Sequence, residues 1–314
     1  MSIFVEDLFT SAKISSFLPT SQNTFQNEQN LVIANEALQL ELVGDIFKRR
    51  EEFFLTHKDV ALIGSVPRYT VPKRSIGLTF KSLWYVENGQ PLYEIVQGNE
   101  EDYLGYGSQT GAPKKFLLEG DEVLLLPKPA ASTGSIRFRY YAKPNLLTLT
   151  ANCAKITSIN SAGGTTTFNV NTDLTAVTNP LVIGAKIDLL SVVSPFLLWA
   201  DDVPVTAVSS SQIECATSLV SDEAGNVLPQ VNDYICPAGY ANVPMIPFEF
   251  HPVLAKMIAK RQVSGMGDIA KRNMIAADLK ELRTEAENMI KNRVESQPKV
   301  LRPHRSGILS AFNR

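Results

Sequence analysis

The spacing of apolar residues changes twice along the 314-residue chain, and these changes limit the folds available to it. Near the N-terminus, apolar residues recur every three or four positions, which places them on one face of a helix: Leu31, Ala34, Leu38, Leu42 and Ile46. We expect this helix to begin at Asn27 as its N-cap and to end near Thr56. Strand-like patterns then continue to about residue 248, where helical spacing returns. The sequence therefore predicts an α+β fold with helices at both ends.

The region from residue 60 to residue 141 has the pattern of strands joined in hairpins. Asn88 and Gly89 separate two aromatic runs, and both tolerate the positive φ that the tightest hairpin turns require. Gly120 lies between two further apolar runs and marks a second hairpin. Residues 136–141 alternate between the two faces of a strand, one of which is apolar enough to be buried. These features predict a hairpin-rich sheet after the first helix.

The middle of the chain differs from its flanks in charge. Residues 151–248 hold two lysines and eight acidic residues, whereas residues 249–314 hold 13 basic and seven acidic residues. The middle segment is also rich in Thr, Ser, Val and Asn, and turn residues divide it into short predicted strands, one of them at residues 181–183. We interpret it as an inserted small all-β barrel or sandwich whose acidic surface would bind nucleic acid poorly.

Two helices are predicted to close the fold. Pro252 suits the first turn of a helix that ends near Gly265, and Asp268 is the expected N-cap of a second helix that runs to about Val294. At 1.5 Å per residue, the second helix would be about 40 Å long. Its apolar residues form a narrow seam, which indicates packing beyond its own chain: Ile275, Leu279, Leu282, Ala286 and Met289.

The last 24 residues are basic and contain prolines that block a helix. A disordered tail and an extended arm that folds onto a partner both fit this composition. The side chains that would carry the arm's contacts are Lys299, Arg302, Arg305, Ile308, Leu309 and Phe312. The whole chain then divides into an N-terminal helix with β-hairpins (1–150), the inserted β-module (151–247), the closing helices (248–294) and the basic arm (295–314).

Motifs with catalytic spacing are absent from the sequence. The three histidines lie in unrelated contexts, and no metal-binding histidine pair, nucleophile elbow or phosphate-binding P-loop occurs. The glycine-rich residues 105–111 lack the preceding strand and following helix of a phosphate site, so we interpret them as a loop between strands. We expect no cofactor and no metal, and we favour a structural or interaction protein over an enzyme.

Two further groups of residues have ordinary structural interpretations. Cys153, Cys215 and Cys236 are an odd number without a C-x-x-C pair, so we expect small buried side chains and neither a disulfide framework nor a zinc site. Five acidic residues lack the spacing of a calcium loop and are expected to keep the module's surface soluble: Asp201, Asp202, Asp222, Glu223 and Asp233.

Membrane association is not expected either. The N-terminus lacks the basic start and apolar run of a signal peptide. The most apolar window, residues 181–200, contains Lys186, Asp188 and Pro195, which a bilayer core would penalise, and we interpret it as two strands.

The motifs of the two outer segments follow a recognisable order. Residues 67–93 give an aromatic hairpin, residues 116–129 a strand that ends in P-x-P, and residues 136–144 a strand that ends in Y-Y-x-x-P. Residues 247–254 read P-x-x-x-H-P-x-L at the start of the closing helices. In this order the chain resembles the head-to-tail adaptor proteins of tailed bacteriophages over residues 27–148 and 244–294. The β-module departs from the shorter members of that family.

The resemblance implies a structural virion protein at the portal vertex, assembled in the host cytoplasm as a ring of about twelve copies. Its partners would be copies of itself, the portal protein and tail or nozzle proteins. Genomic DNA would pass through the lumen without tight or sequence-specific binding. The basic arm would dock into the portal, and the closing helix would face a neighbouring copy through Ile275, Leu279, Leu282 and Met289.

Two other interpretations stay open from the residues alone. The protein could be another tail or baseplate component whose β-module recognises a target. Less in keeping with the sequence, it could be an enzyme whose site is assembled from distant positions in the β-module.

Overall fold

The protein combines a layer of helices with two seven-stranded sheets, which confirms the predicted mixed α+β class. The structure is a computed structural model that describes residues 4–19, 25–106, 108–130, 134–175, 181–191, 198–220 and 229–290. Within these residues, no helix is long and apolar enough to cross a membrane.

The helical layer brings both ends of the described chain around one apolar core. The helices are α1 (Val5–Ser15), α2 (Asn27–Glu36) with a π-helical turn (Ala37–Leu42), α3 (Val43–Arg49), α4 (Glu100–Tyr106), α5 (His251–Gly265) and α6 (Ile269–Met289). All except α4 belong to this layer, and α5 packs against α1, α2 and α6. Ala34, Leu38, Leu42 and Ile46 are fully buried, so the predicted helical face is confirmed.

The first long helix differs from its prediction at both ends. Gln26 is the N-cap and Asn27 the first helical residue, while the helix ends at Arg49 instead of continuing to Thr56. Thr56 pairs with Tyr140 in a sheet, so strand hydrogen bonds replace helical ones there. The sequence argument also missed α1, which precedes this helix and packs on α5.

Three of the four predicted boundaries of the closing helices are confirmed. Pro252 lies in the first turn of α5, and α5 ends at Gly265. The Asp268 carboxylate accepts a hydrogen bond from the backbone N–H of Lys271 at 3.0 Å, which confirms Asp268 as the N-cap of α6. α6 ends at Met289 and Ile290 is its C-cap, so the predicted end near Val294 is five residues too late.

The first sheet is built from the hairpins that the sequence predicted. The strands of this region are β1 (Leu55–Ala61), β2 (Arg68–Thr70), β3 (Ser82–Glu87), β4 (Gln90–Gln97), β5 (Thr110–Gly111), β6 (Lys115–Glu119), β7 (Glu122–Leu126), β8 (Lys128–Pro129) and β9 (Ser135–Tyr141). Seven of them form one sheet in the order β1-β9-β3-β4-β6-β7-β2. Between β3 and β4, Asn88 and Gly89 have φ values of 52° and 77°, as the tight turn requires.

The glycine-rich segment 105–111 was predicted as a loop, but its first two residues belong to a helix. Helix α4 occupies Glu100–Tyr106, with three acidic residues in its first turn, and Asn99 and Asp102 exchange side chain–backbone hydrogen bonds of 3.0 Å. The apolar periodicity is too short to reveal a helix of two turns, which is stabilised mainly at its N-terminus.

The β-module forms the second sheet. Its strands and their neighbours are β10 (Leu146–Leu147), β11 (Ala154–Ala162), β12 (Thr165–Val170), β13 (Lys186–Leu190), β14 (Leu198–Pro204), β15 (Ala207–Val208), β16 (Gln212–Ala216), β17 (Tyr234–Pro237) and β18 (Tyr240–Ala241). The seven-stranded order is β14-β13-β17-β11-β12-β16-β15. Residues 181–183, predicted as a strand, instead precede a turn at Gly184 (φ 82°).

A short parallel pair closes the base of this module. β10 leads the chain into the module, β18 leads it out, and the two strands pair at Leu146–Tyr240 and Leu147–Ala241. The module therefore leaves and rejoins the rest of the fold through one narrow neck.

A disulfide spans the same neck and corrects the cysteine prediction. All three cysteines are buried as expected, but Cys153 and Cys236 are bonded, with their Cα atoms 4.5 Å apart. Strand pairing explains this, because Ala154 opposes Ile235 and so brings their chain neighbours together across 83 residues. Cys215 remains a free buried thiol, and burial raises its pKa to about 12.

His251, from the P-x-x-x-H-P-x-L motif, is a buried core residue. It lies at the start of α5 with its ring 5.4 Å from that of Phe248. Burial lowers its pKa to about 4, against a smaller opposite effect of hydrogen bonding to the backbone of Ile246 and Pro244. The histidine therefore stays neutral in the folded protein at neutral pH.

This burial predicts an acid-sensitive stability. The unfolded chain protonates His251 near pH 6.5, whereas the folded chain resists protonation down to about pH 4. Stability is therefore complete above about pH 6.5 and falls as the pH drops, by about 2 kcal/mol at about pH 5 for this residue. Urea unfolding from pH 7.5 to pH 4.5 should show a shallower pH dependence for His251→Asn. The matched variant is His57→Asn at an exposed strand position, and equal flattening by both would rule out His251 as the cause.

Candidate functional site

The predicted ring-interface residues of α6 do not share one surface. Ile275 and Leu279 are buried in the chain's own helical core, and Leu282 is partly buried against it. Met289 is 69% exposed. The seam is used to pack α6 on the rest of the helical layer, which leaves Ile275 and Leu279 no surface for a second copy. A contact between copies through α6 would have to use Met289 and other exposed positions.

The proposed arm cannot be placed. Its predicted contact residues all lie outside the described part of the chain: Lys299, Arg302, Arg305, Ile308, Leu309 and Phe312. Its docking into a portal therefore stays a prediction from the sequence.

The helical layer carries several large apolar side chains on its outside. Leu40 in the π-helical turn is 77% exposed, and it lies eight residues after Val32, which is also exposed. The others in this layer are Ile14, Ile269, Met274 and Met289, with Phe17 just beyond α1. Contiguous exposed apolar patches mark surfaces that contact other proteins, whereas single exposed apolar side chains are ordinary on a protein surface. These residues are therefore candidate positions for such a contact.

Ion pairs fix the helices that present this surface. Arg261 of α5 contacts Glu36 and Glu41, and Arg283 of α6 contacts Glu41 and Asp45. Burial alone would raise the pKa of Glu41, but its hydrogen bond and charge interaction with Arg261 lower it overall. Each exposed pair contributes little alone, but the shared partners tie α2 with its π-helical turn, α3, α5 and α6 into one arrangement.

A buried carboxylate joins the β-module to the first sheet. Asp188 of β13 has no solvent exposure. Its Oδ2 accepts hydrogen bonds from the Arg74 guanidinium at 2.5 Å, the Asn145 amide at 2.7 Å and the Gly239 backbone N–H at 2.8 Å. Its Oδ1 accepts from the backbone N–H of Asp202 at 3.0 Å. A buried charge is tolerated where a counter-ion and hydrogen bonds satisfy it in this way.

The donors to Asp188 come from both sides of the junction. Arg74 follows β2 of the first sheet, whereas Gly239 and Asp202 belong to the module. Burial alone would lower the pKa of Arg74, but the charge and hydrogen bond of Asp188 raise it overall. Asp202 has a φ of 53°, which an Asp tolerates better than most residues and which turns its N–H toward Asp188.

A second ion pair bridges the two sheet edges. Lys58 of β1 donates to Asp201 of β14 at 3.0 Å. β1 ends the first sheet and β14 ends the second, and shifts in the pairing of β13 with β14 mark bulges in β14. A lysine on one edge strand and bulges in another are common features that prevent sheet edges from pairing with other chains.

The structure corrects the prediction of an acidic module surface. Asp188 and Asp233 are buried. Asp201 and Asp202 lie close to Lys58 and Arg74, and these cations reduce the negative charge on the described surface of the module. Asp222 and Glu223 lie outside the described residues. Among the described residues, no group of three or more acidic, His or Cys side chains could hold a metal ion.

A cleft of about 590 Å³ opens at this junction. One wall comes from β1 and the preceding turn, the other from β14, and Tyr140, Arg74 and Asn145 line the space between them. Apolar and aromatic side chains supply much of its lining: Phe53, Phe54, Leu55, Leu198, Trp199 and Met245. Its volume is within the range of small-molecule sites, which often lie between domains.

Sequence reasoning could not find this junction. Along the chain, Asp188 lies 114 residues from Arg74, 43 from Asn145 and 51 from Gly239. None of these residues belongs to a motif. The sequence does contain one indication of the junction. The module has few lysines, so cations from outside it must neutralise its buried carboxylates.

The buried pair predicts a large and specific loss of stability. In Asp188→Asn, Arg74 keeps its charge in a mostly buried position without its closest counter-ion, so we expect a loss of about 3 kcal/mol in urea unfolding. Asp59→Asn is the matched control, because Asp59 forms a two-pronged pair with Arg137 at 2.7 Å in a more exposed place. We expect less than about 1 kcal/mol there. Equal losses would contradict the assigned role of Asp188.

No protein-family model matches the chain, and no curated protein matches it.

Proposed function

We propose that this protein is a head-to-tail adaptor of a tailed bacteriophage, a structural virion component that forms a ring between the portal and the tail. The order of elements supports this: an N-terminal helix, hairpins, a strand ending in Y-Y-x-x-P and two closing helices. In this proposal the helical layer acts as the adaptor bundle, and the second sheet is a small barrel inserted before the closing helices.

The exposed apolar side chains of the helical layer carry the proposal. A ring needs two different surfaces that meet head to tail and close by rotation. The layer joins residues from both ends of the chain and is fixed by shared ion pairs, so it can present such surfaces in a set geometry. Leu40 is the most exposed of its apolar side chains and is our candidate for the centre of the contact between copies.

The β-module would extend from this ring as a fixed part. The disulfide, the β10–β18 pair and the Asp188 cluster all lie at its base and limit movement of the module against the first sheet. We propose no cofactor, and we propose that genomic DNA passes the ring without tight binding.

Self-assembly should depend on Leu40. We expect Leu40→Glu to abolish rings by placing a charge in an apolar contact, as measured by native mass spectrometry and sedimentation with and without portal protein. Leu104→Glu is the matched control, because Leu104 is 86% exposed on α4, outside the helical layer. Rings from both variants would exclude Leu40 from the interface, and a wild type that stays single even with portal would contradict the adaptor proposal.

Portal binding should depend on the C-terminal residues. A chain that ends after Asn292 is expected to keep its fold and its self-assembly but to bind portal at least about tenfold more weakly, since many copies of the arm bind at once. A full-length Arg302→Ser/Arg305→Ser variant tests the charge alone. Unchanged portal binding by the truncated chain would show that the arm is not the docking element.

A further inference from the structure

The cleft at the module junction contains polar groups that no intramolecular contact uses. Tyr140 is only 3% exposed, yet it lines the cleft, and no hydrogen bond joins its hydroxyl to any of the described residues. The residue as a whole is buried, but its hydroxyl keeps access to the cleft, where water or a ligand can complete its hydrogen bonding. Burial raises the pKa of Tyr140 to about 12, so the hydroxyl keeps its proton and can donate a hydrogen bond to a ligand.

Trp199 supplies a fixed aromatic surface in the same cleft. Its indole N–H donates to Asp233 at 2.7 Å, and Asp233 is buried and also accepts the backbone N–H of Gln230 at 2.8 Å. These bonds hold the indole edge within the module. The ring lines the cleft and is half-buried, so part of its face is available to a bound molecule.

The charges around the cleft nearly cancel. Arg74 is neutralised by Asp188, and Lys58 by Asp201. Lys143 also lines the cleft, and its charge is offset in the total by Asp202, which lies 3.9 Å from Lys58 and 3.8 Å from Arg74. One oxygen of Asp201 accepts from Lys58, and the other accepts no hydrogen bond from the described residues. The cleft therefore offers a hydrogen-bond donor and an acceptor beside an aromatic face, and the net charge of the cleft is small.

We infer that this cleft binds a neutral, hydroxyl-rich ligand of the sugar class, with a ring packed on Trp199 and hydroxyl groups bonded to Tyr140 and Asp201. A sugar hydroxyl both accepts and donates, so it can accept from the Tyr140 hydroxyl and donate to the free Asp201 oxygen. The apolar C–H face of a sugar ring matches an aromatic side chain. The volume suits a mono- or disaccharide. The site lies within one chain, so it does not depend on ring assembly.

The two tryptophans make a direct test possible. Trp84 lies on the first sheet and does not line the cleft, so Trp84→Phe leaves Trp199 as the single tryptophan, which can be excited selectively over the tyrosines. This full-length variant would be titrated with glucose, galactose, N-acetylglucosamine and lactose, and separately with sodium phosphate and with trialanine. We expect a saturable change in Trp199 fluorescence with at least one sugar and none with phosphate or trialanine.

The hydroxyl of Tyr140 is tested in the same background. Tyr140→Phe should weaken sugar binding about two- to tenfold, the effect of one lost hydrogen bond. Tyr141→Phe, the same change at a neighbouring residue that does not line the cleft, should leave it unchanged. Saturation-transfer NMR on the unmodified chain gives an independent readout if a variant fails to fold. Binding of phosphate or trialanine instead of sugars, no response to any probe, or equal effects of the two tyrosine variants would each overturn the inference.

Discussion

The contact between Asp188 and Arg74 sets the relation of the β-module to the rest of the protein. A carboxylate without solvent exposure is stable only if a cation and hydrogen-bond donors surround it. Here the cation comes from the first sheet and two donors come from the module's own backbone. The carboxylate is satisfied only when the two parts are docked in this one arrangement, so the pair selects an orientation, whatever its net contribution to stability.

A disulfide and backbone hydrogen bonds at the neck stabilise the same orientation of the module. The Cys153–Cys236 bond closes a loop that contains almost the whole module, which restricts the unfolded chain more than a short loop would. The β10–β18 pair adds backbone hydrogen bonds at the same place, and Phe4 beside α1 packs against Tyr234 with their ring centres 5.7 Å apart. The junction cleft is a consequence of this docking, because its two walls belong to different sheets.

The assembly proposal and the sugar-site inference use different parts of the molecule. The first depends on exposed apolar side chains of the helical layer, where binding would remove apolar surface from water. The second depends on the Tyr140 hydroxyl, a fixed indole and the unbonded Asp201 oxygen in a cleft whose charges nearly cancel. An assembled ring could therefore carry one such cleft in every copy, with the helices left free for contacts between copies.

The sequence by itself determined the elements whose residues interact with near neighbours in the chain. The buried face of α2 and its continuation, the Asn88-Gly89 turn, the Asp268 cap and the Gly265 end of α5 all follow from periodicity or local backbone preference. Only the tertiary structure decided that the α6 seam faces its own core, that Cys153 bonds Cys236 and that Lys58 and Arg74 neutralise Asp188, Asp201 and Asp202. These outcomes join residues tens to more than a hundred positions apart, and such pairings depend on sheet order and docking, which leave no local pattern in the sequence.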